Sequence, residues 1–337
     1  MRSDLIRQLF ASYAQGDDAA FHRAARELIA EERRQKHRVL AAELEHALLA
    51  TRKPGASQPL TLRPVPKSRD DRPLLRLVKP ERELDELVLS PITRGAVEEI
   101  IRENLSRSTL ASHGLYPRQR LLFVGSPGTG KSVTAHAIAS DLSLPVAVAS
   151  LAALTSSFLG ETARNIEAVI HFAEQTPCVL LFDEFDVLGQ ERDQGGDHGE
   201  MRRVAATVLQ LLDDVHGESV IVATSNHPRL VDAAIWRRFD ELLTFEPLGM
   251  QQRAELLDLK LRAMPTTISV VKWAKKLQGF SPAEIELVCF DAMRRAALEA
   301  QPAVDDAVLS AAVQRMQARR ATIALAQKLV PQMGDDT

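Results

Sequence analysis

Aromatic side chains are scarce. Two tryptophans, two tyrosines and eleven phenylalanines make up 4% of the 337 residues. That scarcity argues against a stacking platform for single-stranded nucleic acid. There are only two cysteines, Cys178 and Cys289, both inside apolar stretches. They point to core positions rather than a disulfide framework, and to a reducing compartment. The nine histidines show no His-x-x-x-His spacing and the cysteines no Cys-x-x-Cys spacing, which argues against a structural metal. No apolar run approaches the length of a membrane span. The start, Met1-Arg2-Ser3-Asp4-Leu5-Ile6, is too polar for a signal peptide. A net charge of −3 selects no particular partner. The expectation is a cytoplasmic chain without membrane attachment, long enough for two or three domains.

Against these absences stands one dense motif. Gly125-Ser126-Pro127-Gly128-Thr129-Gly130-Lys131-Ser132 reads G-x-x-x-x-G-K-[ST], a phosphate-binding loop. Its glycines let the backbone turn tightly and aim N–H groups at a phosphate. Lys131 is expected on the β- and γ-phosphates, and the Ser132 hydroxyl on Mg²⁺. The apolar run Leu121–Val124 precedes the loop as a strand. Val133 and the helix formers after it place the phosphate at a helix N-terminus.

The surrounding chain divides by pattern. Residues 1–50 carry three apolar stripes at helical spacing and read as a small helical domain for a partner or substrate. Fifty residues give a marginal core, so docking onto a partner is plausible. Residues 51–83 are basic and rich in proline and read as an extended linker. A basic arm touching nucleic acid is the competing reading, weakened by the lack of interleaved aromatics. From 84 to 247 strands alternate with amphipathic helices, the apolar runs being 121–124, 146–148, 178–182, 219–223 and 242–245. The helical stripe Ile166, Val169, Ile170 and Ala173 is one of the separators. This pattern predicts an α/β domain with a parallel sheet covered on both faces. Residues 248–337 show no convincing strand and read as a helical lid.

Two further strands end in polar groups. Val179-Leu180-Leu181-Phe182-Asp183-Glu184 closes on two carboxylates. Parallel sheets present ligand groups at strand C-termini. Asp183 is therefore expected to hold Mg²⁺, and Glu184 to activate a water. Val220-Ile221-Val222-Ala223-Thr224-Ser225-Asn226 is the second, with Asn226 either near the γ-phosphate or simply a turn residue before Pro228. Arg237 and Arg238 follow beside Trp236, and on their own could be a solvated pair.

Taken together these segments resemble the AAA family of ATPases, within the AAA+ superfamily. Asp183-Glu184-Phe185-Asp186 is similar to its Walker B, Ala223-Thr224-Ser225-Asn226 to its sensor 1 strand, and Asp232–Asp240 to its second region of homology. The doubled Arg237-Arg238-Phe239 is similar to the meiotic-clade members. Gly279-Phe280-Ser281-Pro282-Ala283-Glu284-Ile285 is similar to the G-[FY]-S-G-A-D-[IL] segment of the lid, with proline in place of its second glycine. The motifs occur in the family's order across about residues 84–300.

The resemblance implies a homo-oligomeric ring, usually a hexamer, with ATP and Mg²⁺ between the large domain and the lid. Ala283 would border the nucleotide, together with the phosphate loop and Val133. Arg237 and Arg238 would be arginine fingers reaching the neighbouring subunit's γ-phosphate. Phe158, Leu159 and Gly160 would form a pore loop gripping a polypeptide, unless Phe158 is ordinary core. The expected function is ATP hydrolysis coupled to remodelling or unfolding of a protein through a central pore, with residues 1–50 receiving the substrate or effector. The alternatives are a nucleotide-controlled regulatory scaffold and a nucleic-acid ATPase such as a helicase loader. The second is disfavoured by the missing lid arginine and the few aromatics.

Overall fold

The computed structural model describes residues 64–154, 161–185, 217–227 and 236–329, together with Leu28 and Leu211. By backbone contacts the chain divides into Met1–Leu60 and Thr61–Thr337. The helical stripes expected in residues 1–50 lie outside the described residues, as do Phe158, Leu159 and Gly160.

The described part is built on one six-stranded sheet. Its strands are β1 (Leu75–Val78), β2 (Arg120–Gly125), β3 (Val146–Ala149), β4 (Val179–Phe182), β5 (Val220–Ser225) and β6 (Glu241–Phe245). They lie side by side in the order β1-β3-β4-β5-β2-β6. All pairings are parallel except β1 with β3. The five strands expected from the apolar runs are therefore present and parallel, as a mixed α/β sheet. β2 sits between β5 and β6, so the loop leaving it opens among three strand ends.

The core strands are apolar on both sides, for a reason visible residue by residue. Leu122, Val124, Leu180, Phe182, Ile221 and Ala223 face one layer, packed with α5 (Glu161–Gln175). Leu121, Phe123, Val179, Leu181, Val220 and Val222 face the other, packed with α1 (Pro91–Leu105) and α3 (Lys131–Asp141). Successive residues alternate between faces, and each face is buried, so the strands read as unbroken apolar runs. The stripe Ile166, Val169, Ile170 and Ala173 is buried as expected. Two short helices, α2 (Arg107–Ser112) and α4 (Leu151–Leu154), complete this layer set.

One expectation needs correction. The stretch read as an extended linker through residue 83 contributes β1, paired antiparallel with β3 in the register Leu75↔Ala149 to Val78↔Val146. Leu74 and Leu75 are buried in the sheet core, and Leu74 N–H donates to the Pro66 carbonyl. Pro73 and Pro80 flank the strand rather than interrupt it, and an edge position tolerates missing donors. Proline density excluded helix here but not an edge strand.

A second core belongs to the lid. It is formed by α6 (Met250–Leu261), α7 (Val270–Lys276), α8 (Pro282–Leu298) and α9 (Asp306–Leu329), around Trp273, Leu257, Leu277, Ile285 and Leu309. Cys289 is buried in this core and Cys178 in the sheet core. Burial pushes the Cys178 thiol up to about 11 and the Cys289 thiol to about 12, so neither is a reactive thiolate.

Candidate active site

The phosphate loop follows β2. Gly125 is required by crowding: a Cβ there would lie 2.3 Å from the Phe245 carbonyl oxygen of β6. Gly128 is required by both conformation and contact. Its φ is +73°, and a Cβ would sit 3.0 Å from the Ser281 hydroxyl oxygen. Helix α3 then begins at Lys131 behind Gly130, and no side chain caps its first N–H groups. A helix start left open in this way is an anion site in search of a ligand.

Lys131 is buried, and its ammonium donates to the carbonyls of Gly125 (2.8 Å) and Ser126 (2.9 Å) and to Asn226 Oδ1 (2.8 Å). Asn226, at the tip of β5, is thus joined to the loop lysine. The Ser132 hydroxyl donates to Asp183 Oδ1 at 2.8 Å, just past the end of β4. The Thr224 hydroxyl donates to the same oxygen at 2.6 Å, and accepts from the Glu184 N–H at 3.0 Å. Three strand ends and one helix start are tied together by these bonds. Glu184 has φ +55°, an uncommon backbone for a non-glycine residue. Such conformations cost free energy and concentrate where a side chain must be aimed.

The lid closes one side. Ser281 caps α8, accepting from the Glu284 N–H, while Glu284 Oε2 accepts from the Ser281 N–H at 2.8 Å. Pro282 occupies the first helical turn, where its missing N–H costs nothing. The proline that departs from the family's lid segment is therefore accommodated in regular helix. The Ala283 N–H donates to the Gly128 carbonyl at 3.1 Å, so the lid helix touches the phosphate loop directly.

The result is a cleft of about 250 Å³. Pro127, Gly128, Thr129, Gly130, Lys131, Ser132 and Val133 line its floor, Asp183, Glu184 and Asn226 its far side, and Ala283 the lid side. Each of these was a candidate from sequence. Gly125 and Ser126 lie behind the floor as the carbonyls that hold Lys131.

Arg237 and Arg238 are not brought to this cleft. They are exposed, and precede Phe239, which is buried, and Asp240, which pairs with Arg120 at 2.6 Å. Arg120 starts β2 and Gly125 ends it. At about 3.3 Å per residue, the anchor of the arginine segment is about 17 Å from the phosphate loop.

Sequence reasoning missed Thr224, Glu286, Lys260 and Arg82. Thr224 is legible in hindsight as the polar residue interrupting an apolar strand two positions before Asn226. The other three are charged residues in ordinary surface patterns, and nothing local distinguishes them.

Strand order, phosphate loop and paired carboxylates define a P-loop nucleoside triphosphatase of the AAA+ type. Residues 121–247 match the family described as "ATPase family associated with various cellular activities (AAA)". An uncharacterized AAA family ATPase, y4kL, of Sinorhizobium fredii is 36% identical over 321 residues, covering 95% of this chain and 97% of that one. The chain belongs to the AAA ATPase family and is an ATPase. Other relatives match over shorter spans. The peroxisomal ATPase PEX6 of Penicillium chrysogenum is 32% identical over 64% of this chain and 16% of its own length. A putative 26S proteasome regulatory subunit homolog of Methanothermobacter marburgensis is 32% identical over 56% of this chain and 52% of its own.

Among the described residues, no helix is long and apolar enough to cross a membrane.

Proposed function

We infer that this chain hydrolyses ATP as a subunit of a ring, usually a hexamer in this family, and uses the cycle to remodel a protein. The observation that carries the shared-site part is the separation of Arg237 and Arg238 from the chain's own phosphate loop. Their anchor stands at the opposite end of β2, and neither arginine lines the cleft. Both are exposed, and in the proposed ring they would face a neighbouring subunit's nucleotide.

Within one subunit the geometry supports the following roles. Lys131 and the open start of α3 hold the β- and γ-phosphates. Glu184 orients and deprotonates the attacking water, its backbone fixed through Thr224. Asn226, bonded to Lys131, lies where it can position that water or the γ-phosphate. The Ser132 hydroxyl and the Asp183 carboxylate converge at the loop as hard oxygen ligands, the donor set that Mg²⁺ prefers. When bound, Mg²⁺ would neutralise phosphate charge. Ala283 and Val133 border the nucleotide and transmit its presence to the lid.

A protein substrate is favoured over nucleic acid by the scarcity of aromatics, and by a relative named as a proteasome regulatory subunit homolog. Phe158, Leu159 and Gly160 are the residues proposed to grip it, and residues 1–50 to recruit it.

The shared site is tested by complementation. Lys131→Ala and the double variant Arg237→Ala/Arg238→Ala should each be nearly inactive alone. Mixed together they should recover ATPase activity, because an intact phosphate loop then meets intact arginines. No recovery in co-assembled mixtures would reject the shared site.

A further inference from the structure

The cleft has a second end that the phosphate chemistry does not use. Lys131, Ser132 and Asp183 fix where phosphates lie. Beyond them the walls change to Leu87, Val88, Leu89 and Leu256, an apolar slot suited to a purine. Glu286 also lines the cleft. It lies on α8 three residues after Ala283, hence on the same helix face and about 4.5 Å further from the phosphate loop.

Glu286 is held from two other segments. Arg82 Nη2 and Lys260 Nζ each lie 2.9 Å from its Oε1. Lys260, with a side chain only 10% exposed, also donates to the Glu86 carbonyl at 3.4 Å. The Arg82–Glu286 contact spans 204 positions of sequence. Both cations fall on one carboxylate oxygen. Among the described residues Oε2 has no hydrogen-bond partner.

We propose that Glu286 reads the ribose of the nucleotide, its Oε2 accepting from the 2′,3′-diol, with Arg82 and Lys260 as positioning residues. The proposal rests on the ATPase reading of the same cleft. Three observations carry it. A pure acceptor lines the cleft one helical turn beyond the residue that bonds the phosphate loop. Its other oxygen is held by two cations, which fixes the rotamer. A ribose diol offers two donors, and no other part of the nucleotide between phosphate and base does. A charged acceptor bonded to a hydroxyl is stronger than a neutral one, and losing it leaves a desolvated carboxylate oxygen unpaired.

ADP and 2′,3′-dideoxy-ADP test this by calorimetry on the full chain, without turnover. The wild type should bind ADP about tenfold more tightly than dideoxy-ADP, the scale of one charge-assisted bond. Glu286→Ala should bind both alike, near the wild-type dideoxy-ADP affinity. Glu286→Gln keeps the size and an acceptor, and should show a reduced preference; it serves if the alanine variant does not fold. An unchanged preference in either folded variant overturns the proposal. So does an equal loss of both ligands, which would mark Glu286 as purely structural. Failure of the wild type to bind ADP at all would instead overturn the ATPase reading beneath it.

Discussion

Thr224 shows how much one buried hydroxyl can organise. It donates to Asp183 and accepts from the backbone of Glu184, so both carboxylate residues depend on it for position. It is 1% exposed, so water cannot replace either bond. Thr224→Val keeps the shape and removes both. The expected cost is about 1–3 kcal/mol in stability, the price of stranding buried polar groups. Turnover should fall about tenfold while ADP affinity stays near wild type, because Lys131 and the loop are untouched. Urea denaturation and steady-state kinetics check both, and a variant with wild-type turnover would show that Glu184 needs no such support. Glu286 has the same character at the other end of the cleft, with its position decided by partners distant in sequence.

At the scale of elements, α8 and the phosphate loop are joined directly through Ala283 and Gly128. Helix α9 supports this joint from behind. Arg320 Nε donates to Glu284 Oε1 at 2.6 Å, its Nη2 bonds the Gly279 carbonyl, and its guanidinium lies 4.1 Å from the Phe280 ring. The Arg320 pair, then the Ser281 backbone and hydroxyl, hold the Glu284 carboxyl down at about 2 against the opposing pull of burial. The sign of the pH effect follows. A carboxyl whose folded value lies below its ordinary 4.5 stabilises the fold above that pH. The contribution disappears as pH falls from about 4.5 to about 2. Arg320→Ala should therefore destabilise the protein at neutral pH, and its deficit against wild type should shrink across that acid window. Unfolding free energies measured through the window decide it; a deficit independent of pH would assign Arg320 a packing role only. Because Ala283 contacts Gly128, the same variant should also weaken ADP binding.

For the whole molecule the sheet sets the distances. β2 carries the phosphate loop at one end and, through Arg120 and Asp240, the arginine segment at the other. In the proposed ring, one subunit would present a receiving site and a donating edge about a strand length apart. Under that proposal hydrolysis would depend on assembly, and assembly would make nucleotide-driven motion available to a bound protein. Phe158 is where that motion is proposed to be felt. Phe158→Ala should retain ATPase activity and lose most remodelling of a bound protein, followed as unfolding of a fluorescent client. Undiminished processing with ATPase intact would sink the pore-grip proposal, while loss of folding would return Phe158 to ordinary core.

The sequence by itself determined what is local. The phosphate loop, the carboxylates ending β4 and the polar tip of β5 are contiguous motifs whose chemistry depends on spacing along a few residues. The alternation of apolar runs with amphipathic helices was enough for a parallel sheet, because burial on both faces leaves a continuous apolar signature. Tertiary structure decided the rest. It recruited Leu75–Val78 as an antiparallel edge from a proline-rich stretch, since an edge strand asks little of its own sequence. It placed Pro282 in a capped helix against Gly128. It gathered Arg82, Lys260 and Glu286 around one cleft from three separate segments. Charged residues carry no sequence signal for such partners, because which charges meet is settled only when the chain folds and closes the loops between them.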